Sequence, residues 1–422
     1  MNTNTCKAGF HQTDITPDFP VELIGCYRKD PTSHGILHRL YAQALVLNCK
    51  EQCYCLIAID SLGLTTTLSD VLRLQIANVL NTETSHIMLN FSHTHSAPAP
   101  LSPLNGEKYF QLLCNQVLGC VATAEKEMQP CLAGWDVTTT EVAENRREGC
   151  TQVDTRLGAL QIVNANTLRT IALIVRLSVH SNILMGEHNA ISSDLFGVAR
   201  MGIEKRFDCP VMLIQGSAGN LKPVGVDTIT GGEIEDLQRC ADIIIQSMQQ
   251  LQFSPKIIEH LYAEEKELEF ISEVPTAEYA KSLASEAKQL FNIDGEAWIA
   301  ECKRLRDEEK CTEQRQKRSI QFLSIDEGCF CGVSDELFCE IALDASQKVG
   351  SNLFFLNGYT NGCAGYLPHR AEYLKGGYET LYSYLSFFQF HGHVMPFKLD
   401  TAEHIVELVV QTWKNEQPSQ VH

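Results

Sequence analysis

Two histidines one residue apart, His93 and His95, lie in the stretch NFSHTHSAPAP, directly after the apolar run HIMLN. The run reads as a strand, and the small residues and prolines that follow read as its stop. In an extended backbone, residues i and i+2 point to the same face, so the two imidazoles are expected to share one pocket or one surface. Alone, a His-x-His pair suits a polar strand end in a turn as well as a metal site. Other apolar runs, however, end in similar chemistry. TIALIVRLSVH ends in His180, and CFCGVSDE ends in Glu336. VMLIQGSAGN ends in a turn with Gly216, Ser217 and Gly219, and FFLNGYTNGCAGY ends in a glycine-rich loop carrying Tyr366. Two or three histidines with a carboxylate are the usual ligands of a catalytic zinc, which keeps a further position for water. Each residue also has an ordinary explanation: His180 as a core histidine, Glu336 facing the dipole of a helix over 335–348, GSAGN as a turn. Their shared position, at the downstream ends of strands where α/β sheets collect ligands, favours a site. Spacing alone does not name the metal.

The elements needed to hold such a site follow from periodicity. ALVLNCKEQCYCLIAID reads as two strands joined by a polar turn, and helical spacing of apolar residues runs from about Ser69 to Leu80. A longer helix is expected around 107–128, with others near 194–206 and over 233–251 and a C-terminal one in TAEHIVELVVQTWKN. RLGALQIV and LRTIALIVRLSVH are β-rich, and SIQFLSIDEGCFCGV is a hairpin turning at Asp-Glu-Gly. Residues 275–318 differ, with few β-formers and many charges, and read as a helical hairpin projecting from the body with a solvated face. The expected architecture is a single α/β domain over 1–422, a mixed sheet core flanked by helices, with a helical excursion at about 275–318.

Of 422 residues, 34 are basic and 52 acidic, a net charge of −18. Nucleic-acid binding needs a basic face, so a polyanionic partner is not expected. No apolar run has the ~18 residues that span a bilayer, and the first residues have neither the basic nor the apolar region of a signal peptide. The 17 cysteines include no CxxC pair. Cys53/Cys55 and Cys329/Cys331 sit at i, i+2 in apolar stretches, as buried reduced thiols would. A reducing cytoplasm is the expected location.

The chain resembles the catalytic domain of the neutral/alkaline (non-lysosomal) ceramidase family over nearly its whole length. DITPDFPVELIGCY resembles that family's opening segment, and NFSHTHSAP its Ser-His-Thr-His-Ser-Gly-Pro motif. VHSNILMGEHNAISSDLFG is similar to the His-Pro-Thr stretch leading to Ser-x-Asp-x-Pro-Gly. GVSDE stands in place of Leu-Pro-Gly-Glu, and NGCAGYLPHRAEYLKGGYE resembles the Asn-x-Tyr-x-x-Tyr loop followed by Tyr-Glu. The resemblance implies one zinc ion held by His93, His180, Glu336 and Tyr366. It further implies His95 as proton carrier, Tyr378 facing the carbonyl under attack, and Arg146 in ENRRE lining the site. The activity implied is zinc-dependent hydrolysis of a linear N-acyl amide.

Departures gather around the substrate. Asn220 and Lys222 in GNLKP stand where the family has Asp and Ser, His180-Ser181-Asn182 replaces His-Pro-Thr, and Cys363 replaces the loop's first tyrosine. No counterpart of the family's C-terminal β-domain is expected in this chain. Ceramide is therefore not the expected substrate. Lys222, if it faces the pocket, favours an anionic small-molecule amide, with backbone N–H groups of Gly216, Ser217 and Gly219 available to an anionic group. Ester or lactam hydrolysis on the same metal site and a non-catalytic binding protein of the same fold are the alternatives. The sequence leaves the oligomeric state open.

Overall fold

A computed structural model describes residues 6–227 and 229–416. The alternating apolar runs near the N-terminus become β1 (Lys7–Asp14), β2 (Tyr41–Cys49), β3 (Gln52–Ile59) and β4 (Ile87–Phe91). After a helix come β5 (Gln129–Thr139), the short β6 (Ala143–Asn145), β7 (Arg156–Asn164), β8 (Thr170–Leu177), β9 (Val211–Gln215) and the short β10 (Leu221–Pro223). The large strands form one eight-stranded mixed sheet in the order β4-β3-β2-β1-β5-β7-β8-β9. Only the outer pairs, β3 with β4 and β8 with β9, are parallel. The two halves join through just Lys7 and Ala8 against Pro130 and Gln129. The sheet curls until its edge strands meet: the Asn90 side chain accepts from Gln215 N at 2.7 Å and donates to Gln215 O at 3.1 Å. Curling brings the downstream ends of β4, β8 and β9 together, which no flat sheet of this order allows.

Both faces of this sheet are covered. Ala44, Val46 and Ile57 point to one side, under α1 (Thr66–Leu80), α2 (Gly106–Lys126), α3 (Asp194–Phe207) and α4 (Ile234–Ser247). Leu45, Leu47 and Leu56 point to the other, against a second sheet. That sheet pairs β11 (Leu261–Glu273), β12 (Glu313–Ile325), β13 (Gly328–Gly332) and, beyond β14 (Glu336–Leu337), β15 (Phe354–Asn357). It repeats the period of two: Leu323, Phe330 and Phe355 face the first sheet, whereas Phe322, Cys329, Cys331 and Phe354 face helices. Between β11 and β12 lie α5 (Ala277–Phe291) and α6 (Glu296–Asp307); α7 (Cys339–Val349) precedes β15. After β16 (Tyr366–Leu367) come α8 (Arg370–Tyr373), α9 (Ser383–His391) and α10 (Thr401–Glu416), and α7 and α10 close the far side. The layers run helix, sheet, sheet, helix: a mixed β core flanked by helices, as the sequence predicts.

Two expectations need correction. Residues 313–318 are not helical but open β12, paired residue for residue with the acidic strand β11, where charges alternate sides and pair across the ladder, as Lys317 does with Glu267 at 2.9 Å. Nor does the helical hairpin project freely: Leu283, Ala287, Trp298 and Leu305 pack on Tyr382, Leu385 and Val394, and the Trp298 indole donates to Val394 O at 2.7 Å. Among the cysteines, Cys53, Cys55, Cys329 and Cys331 are free, as expected, and Cys6 and Cys49 lie side by side at the β1–β2 edge with Cα atoms 4.4 Å apart. Among the described residues, no helix is long and apolar enough to cross a membrane.

The sheets are pinned by a buried ion cluster. Arg176 of β8, fully buried, pairs with Asp154 at 2.8 Å and donates to Asn357 Oδ1 at 2.8 Å, and Arg156 holds Asp154 from the other side at 2.8 Å. Burial works against ionisation of Asp154, but the two guanidinium groups outweigh it and hold the carboxyl down to about 2. A carboxyl depressed on folding contributes stability above its unfolded pKa and loses it as pH falls through the folded value. Asp154→Ala, which strands Arg176 in the core, should cost about 3–5 kcal/mol in urea unfolding at neutral pH. Asp154→Asn should flatten the loss of stability that the parent shows between about pH 4 and pH 2.

Candidate metal centre

β4 ends at Phe91, and His93 lies beyond it with φ of +60°, a left-handed backbone uncommon for histidine. The extended geometry expected for His93 and His95 is therefore absent. The two rings still meet, with centroids 5.0 Å apart, because the left-handed turn swings His93 inward. His180 follows the parallel strand β8, and its ring centroid is 4.6 Å from that of His93 and 5.2 Å from that of His95. All three are buried, and their ligating nitrogens lie within 4.8 Å of one another.

Backbone carbonyls fix two of the three tautomers. His93 Nδ1 lies 2.7 Å from Leu62 O and His180 Nδ1 lies 3.1 Å from Ala218 O. A carbonyl only accepts, so each Nδ1 carries the proton and each Nε2 presents a lone pair to the centre. His95 is held differently: neither ring nitrogen has a well-formed hydrogen bond. Its ring is pressed against Gly25, where a side chain would stand 2.7 Å from Cγ, and its carbonyl receives Arg28 Nη2 at 2.9 Å. Burial, and then the neighbouring imidazoles and guanidinium groups, hold His95 and His180 neutral, well below the usual histidine range.

β14 and β16 bring the oxygen donors. They pair in parallel with Glu336 directly beside Tyr366. Glu336 Oε2 is 3.2 Å from His93 Nε2 and 3.9 Å from His180 Nε2, and it accepts from the Tyr359 hydroxyl at 3.3 Å. Burial and the Glu336 charge push the Tyr366 phenol well above its ordinary value, against the pull of Arg146, which donates to the phenol oxygen at 3.1 Å. Arg146 is itself anchored by Glu379 at 3.0 Å and Gly219 O at 2.6 Å. Tyr378, on a one-turn π-helix, has its ring centroid 6.4 Å from that of Tyr366.

Above the donors opens a cavity with an apolar wall that includes Leu64, Leu68, Leu101, Phe387 and Phe390; His93, His95, Glu336, Tyr366, Cys363 and Tyr378 lie at its base. The donor chemistry fits a divalent ion of the zinc type. Buried imidazole nitrogens converge, His180 Nε2 has no protein partner, and a carboxylate lies among them.

The structure does not bring the other predicted residues to the cavity. Lys222 sits on β10, where its ammonium is held by Glu144 at 3.0 Å and Val226 O at 2.8 Å. Gly216 N donates to Leu177 O and Gly219 N to Leu337 O, each at 2.8 Å, and the Ser217 hydroxyl donates to Leu356 O at 2.8 Å. The N–H groups of Gly216 and Gly219 are thus spent on packing, and a Cβ on Gly219 would lie 2.3 Å from Glu336 O. The turn serves the centre by presenting Ala218 O. Asn220 likewise grips Glu340, at 2.8 Å. Sequence reasoning missed Tyr359, Arg28 and the two carbonyls. Only Tyr359, inside the LNGYTNG loop, left a side-chain signal there.

No family model matches the chain, and no curated protein matches it by sequence. By structure it is similar to neutral ceramidase from Pseudomonas aeruginosa, with a TM-score of 0.73 and 18% identity over 98% of this chain and 74% of that one. It is also similar to a ceramidase complexed with C2, with a TM-score of 0.71 and 17% identity over 97% and 75%. The fold is ceramidase-like.

If the imidazoles form one centre, His180→Ala should lose divalent metal. Its zinc content after dialysis, read by mass spectrometry against the parent, should drop from near one per chain to near zero, while the circular dichroism spectrum is retained.

Proposed function

We propose that the protein is a zinc-dependent hydrolase of N-acyl amides, with His93, His180, Glu336 and Tyr366 as the residues that hold the metal. The convergence of carbonyl-fixed imidazoles with Glu336 at the base of an apolar cavity carries this reading. Bound there, zinc would supply Lewis acidity, making water a nucleophile near neutral pH and polarising a carbonyl.

The remaining steps belong to the chain. His95 has only a weak backbone contact, to Gly25, in place of the well-formed carbonyl hydrogen bonds that commit the other two imidazoles, so its ring can move a proton. It takes one from the attacking water and delivers it to the departing amine nitrogen. Burial pushes the Tyr378 phenol up to about 12, so it stays protonated and can donate to the carbonyl oxygen as negative charge develops there. Arg146 favours an ionised Tyr366 through its hydrogen bond to the phenol oxygen. The leucine and phenylalanine wall accepts the acyl chain and keeps bulk water from the reacting atoms.

His95→Ala should keep its zinc yet lower kcat by about 10²–10⁴ on any N-acyl substrate found in a screen of lipid, amino-acid and sugar amides. Loss of metal in that variant would make His95 a ligand. Tyr378→Phe should reduce kcat by about 10²–10³ and leave KM nearly unchanged. Matched esters included in the screen decide between amide and ester hydrolysis.

A further inference from the structure

The cavity does not end at Phe390 and His391. A groove continues from it, sharing Thr65, Leu68, Leu101, Phe390 and His391, and runs between the first turn of α1 and the C-terminal end of α9. Gln316 and Arg318 of β12 lie in its wall. Along this path the lining changes from hydrocarbon to hydroxyl, amide and guanidinium groups.

Arg318 is only 5% exposed and forms no ion pair among the described residues. Its Nη2 donates to His391 O at 3.3 Å, and its Nε has no partner. Gln316 spends its amide nitrogen on Gly392 O at 2.6 Å and leaves Oε1 unpartnered, as His391 leaves Nδ1. Lys317 at the rim is already held by Glu267 at 2.9 Å. The buried guanidinium has no carboxylate in contact; Asp335 acts on it only at longer range and the Phe397 ring centroid lies 5.6 Å from it, so its planar fork keeps donors that match a carboxylate or phosphate. Facing it is the N-terminal turn of the 15-residue α1, where Thr65 caps Leu68 N at 3.3 Å. That is the positive end of the helix dipole. Two independent sources of positive potential thus flank one groove that leads from the reaction centre.

We propose that this groove is a subsite for an anionic head group, a carboxylate or a phosphate, on an amide whose acyl chain and scissile bond occupy the adjoining cavity. The assignment rests on the hydrolase reading and gives it a substrate class. It also replaces Lys222, which is engaged elsewhere.

The test compares three dodecanoyl amides on the zinc-loaded protein: those of glycine, of ethanolamine and of phosphoethanolamine. At least one anionic amide should exceed the neutral one in kcat/KM by about tenfold or more, and the two anionic arms separate carboxylate from phosphate. Thr67→Glu places a carboxylate at an exposed position of the α1 first turn, where the dipole favours it, so the variant should fold. It should abolish the preference and leave the neutral amide's kcat/KM within about twofold, a change too small to signal a lost contact. Arg318→Gln should likewise abolish the preference, and if it fails to fold, Thr67→Glu decides. Equal rates on all three amides, or a preference that survives Thr67→Glu, would overturn the subsite and leave the hydrolase reading intact. If none of the three is cleaved, the hydrolase reading loses this substrate class. Calorimetric binding of the same compounds to parent and Thr67→Glu then judges the subsite alone, by whether the anionic compounds bind more tightly and lose that advantage in the variant.

Discussion

Two hydrogen bonds from imidazole Nδ1 to peptide carbonyls govern this molecule's chemistry. Leu62 O and Ala218 O commit His93 and His180 to one tautomer each and turn both Nε2 lone pairs toward one point. Neither carbonyl belongs to the strand that carries its histidine. Leu62 lies on the segment leaving β3, and Ala218 on the turn leaving β9. The parallel pairs β3/β4 and β8/β9 place each carbonyl beside the histidine of the neighbouring strand. Those pairs are at opposite edges of the sheet order, so the centre exists only because the sheet curls and Asn90 ties β4 to β9. The second sheet then delivers Glu336 and Tyr366 through the parallel β14/β16 pair.

Such a centre is expensive to bury. Desolvation disfavours every charge in it, and the unpartnered nitrogens of His95 and His180 would each cost on the order of 1–3 kcal/mol if nothing reached them. A protein tolerates that only where the groups have a task. The neutral state forced on His95 and His180 keeps their lone pairs available, and the same burial that raises the phenols of Tyr366 and Tyr378 keeps Tyr378 a hydrogen-bond donor. One physical cause, removal of water, therefore serves opposite ends: bases kept unprotonated and acids kept protonated.

How much of this was legible in the sequence depends on the range of the interaction. Strands and helices with strong periodicity were read to within a few residues, and α1 differs from its expected start only because Thr65 caps it earlier. The acidic strand β11 was invisible to a hydrophobic pattern, since LYAEEKELEFISE alternates charges that pair across a ladder instead of apolar residues that face a core. His93, His95, His180, Glu336 and Tyr366 stood out at strand ends and lie together in the structure, but their separate roles were implied by the family resemblance and not by spacing. The inference that His93 and His95 share a pocket reached the right neighbours by the wrong geometry, because nothing in NFSHTH announces a left-handed His93. Lys222 was misplaced for a related reason. Its position beside the glycine-rich turn is a fact of sequence, but β10 turns it toward Glu144.

The charged excursion over 275–318, which the sequence set apart from the domain, takes its meaning from where it packs. Phe291 at the end of α5 places its ring 5.8 Å from Tyr378 and 5.0 Å from Tyr382. Leu283 and Trp298 pack with Leu385 and Val394. The segment from Tyr378 to His391 forms one wall of the cavity, and it begins with a π-helical turn, a poor hydrogen-bonding geometry that needs outside support. The hairpin supplies that support through these contacts. The three clustered histidines rest on the curled sheet, whereas the segment that carries Tyr378, Phe387, Phe390 and His391 rests on the hairpin. The two walls of the cavity are thus built on separate hydrophobic cores. Sequence changes in α5 and α6 therefore act on this wall of the cavity without passing through the three clustered histidines.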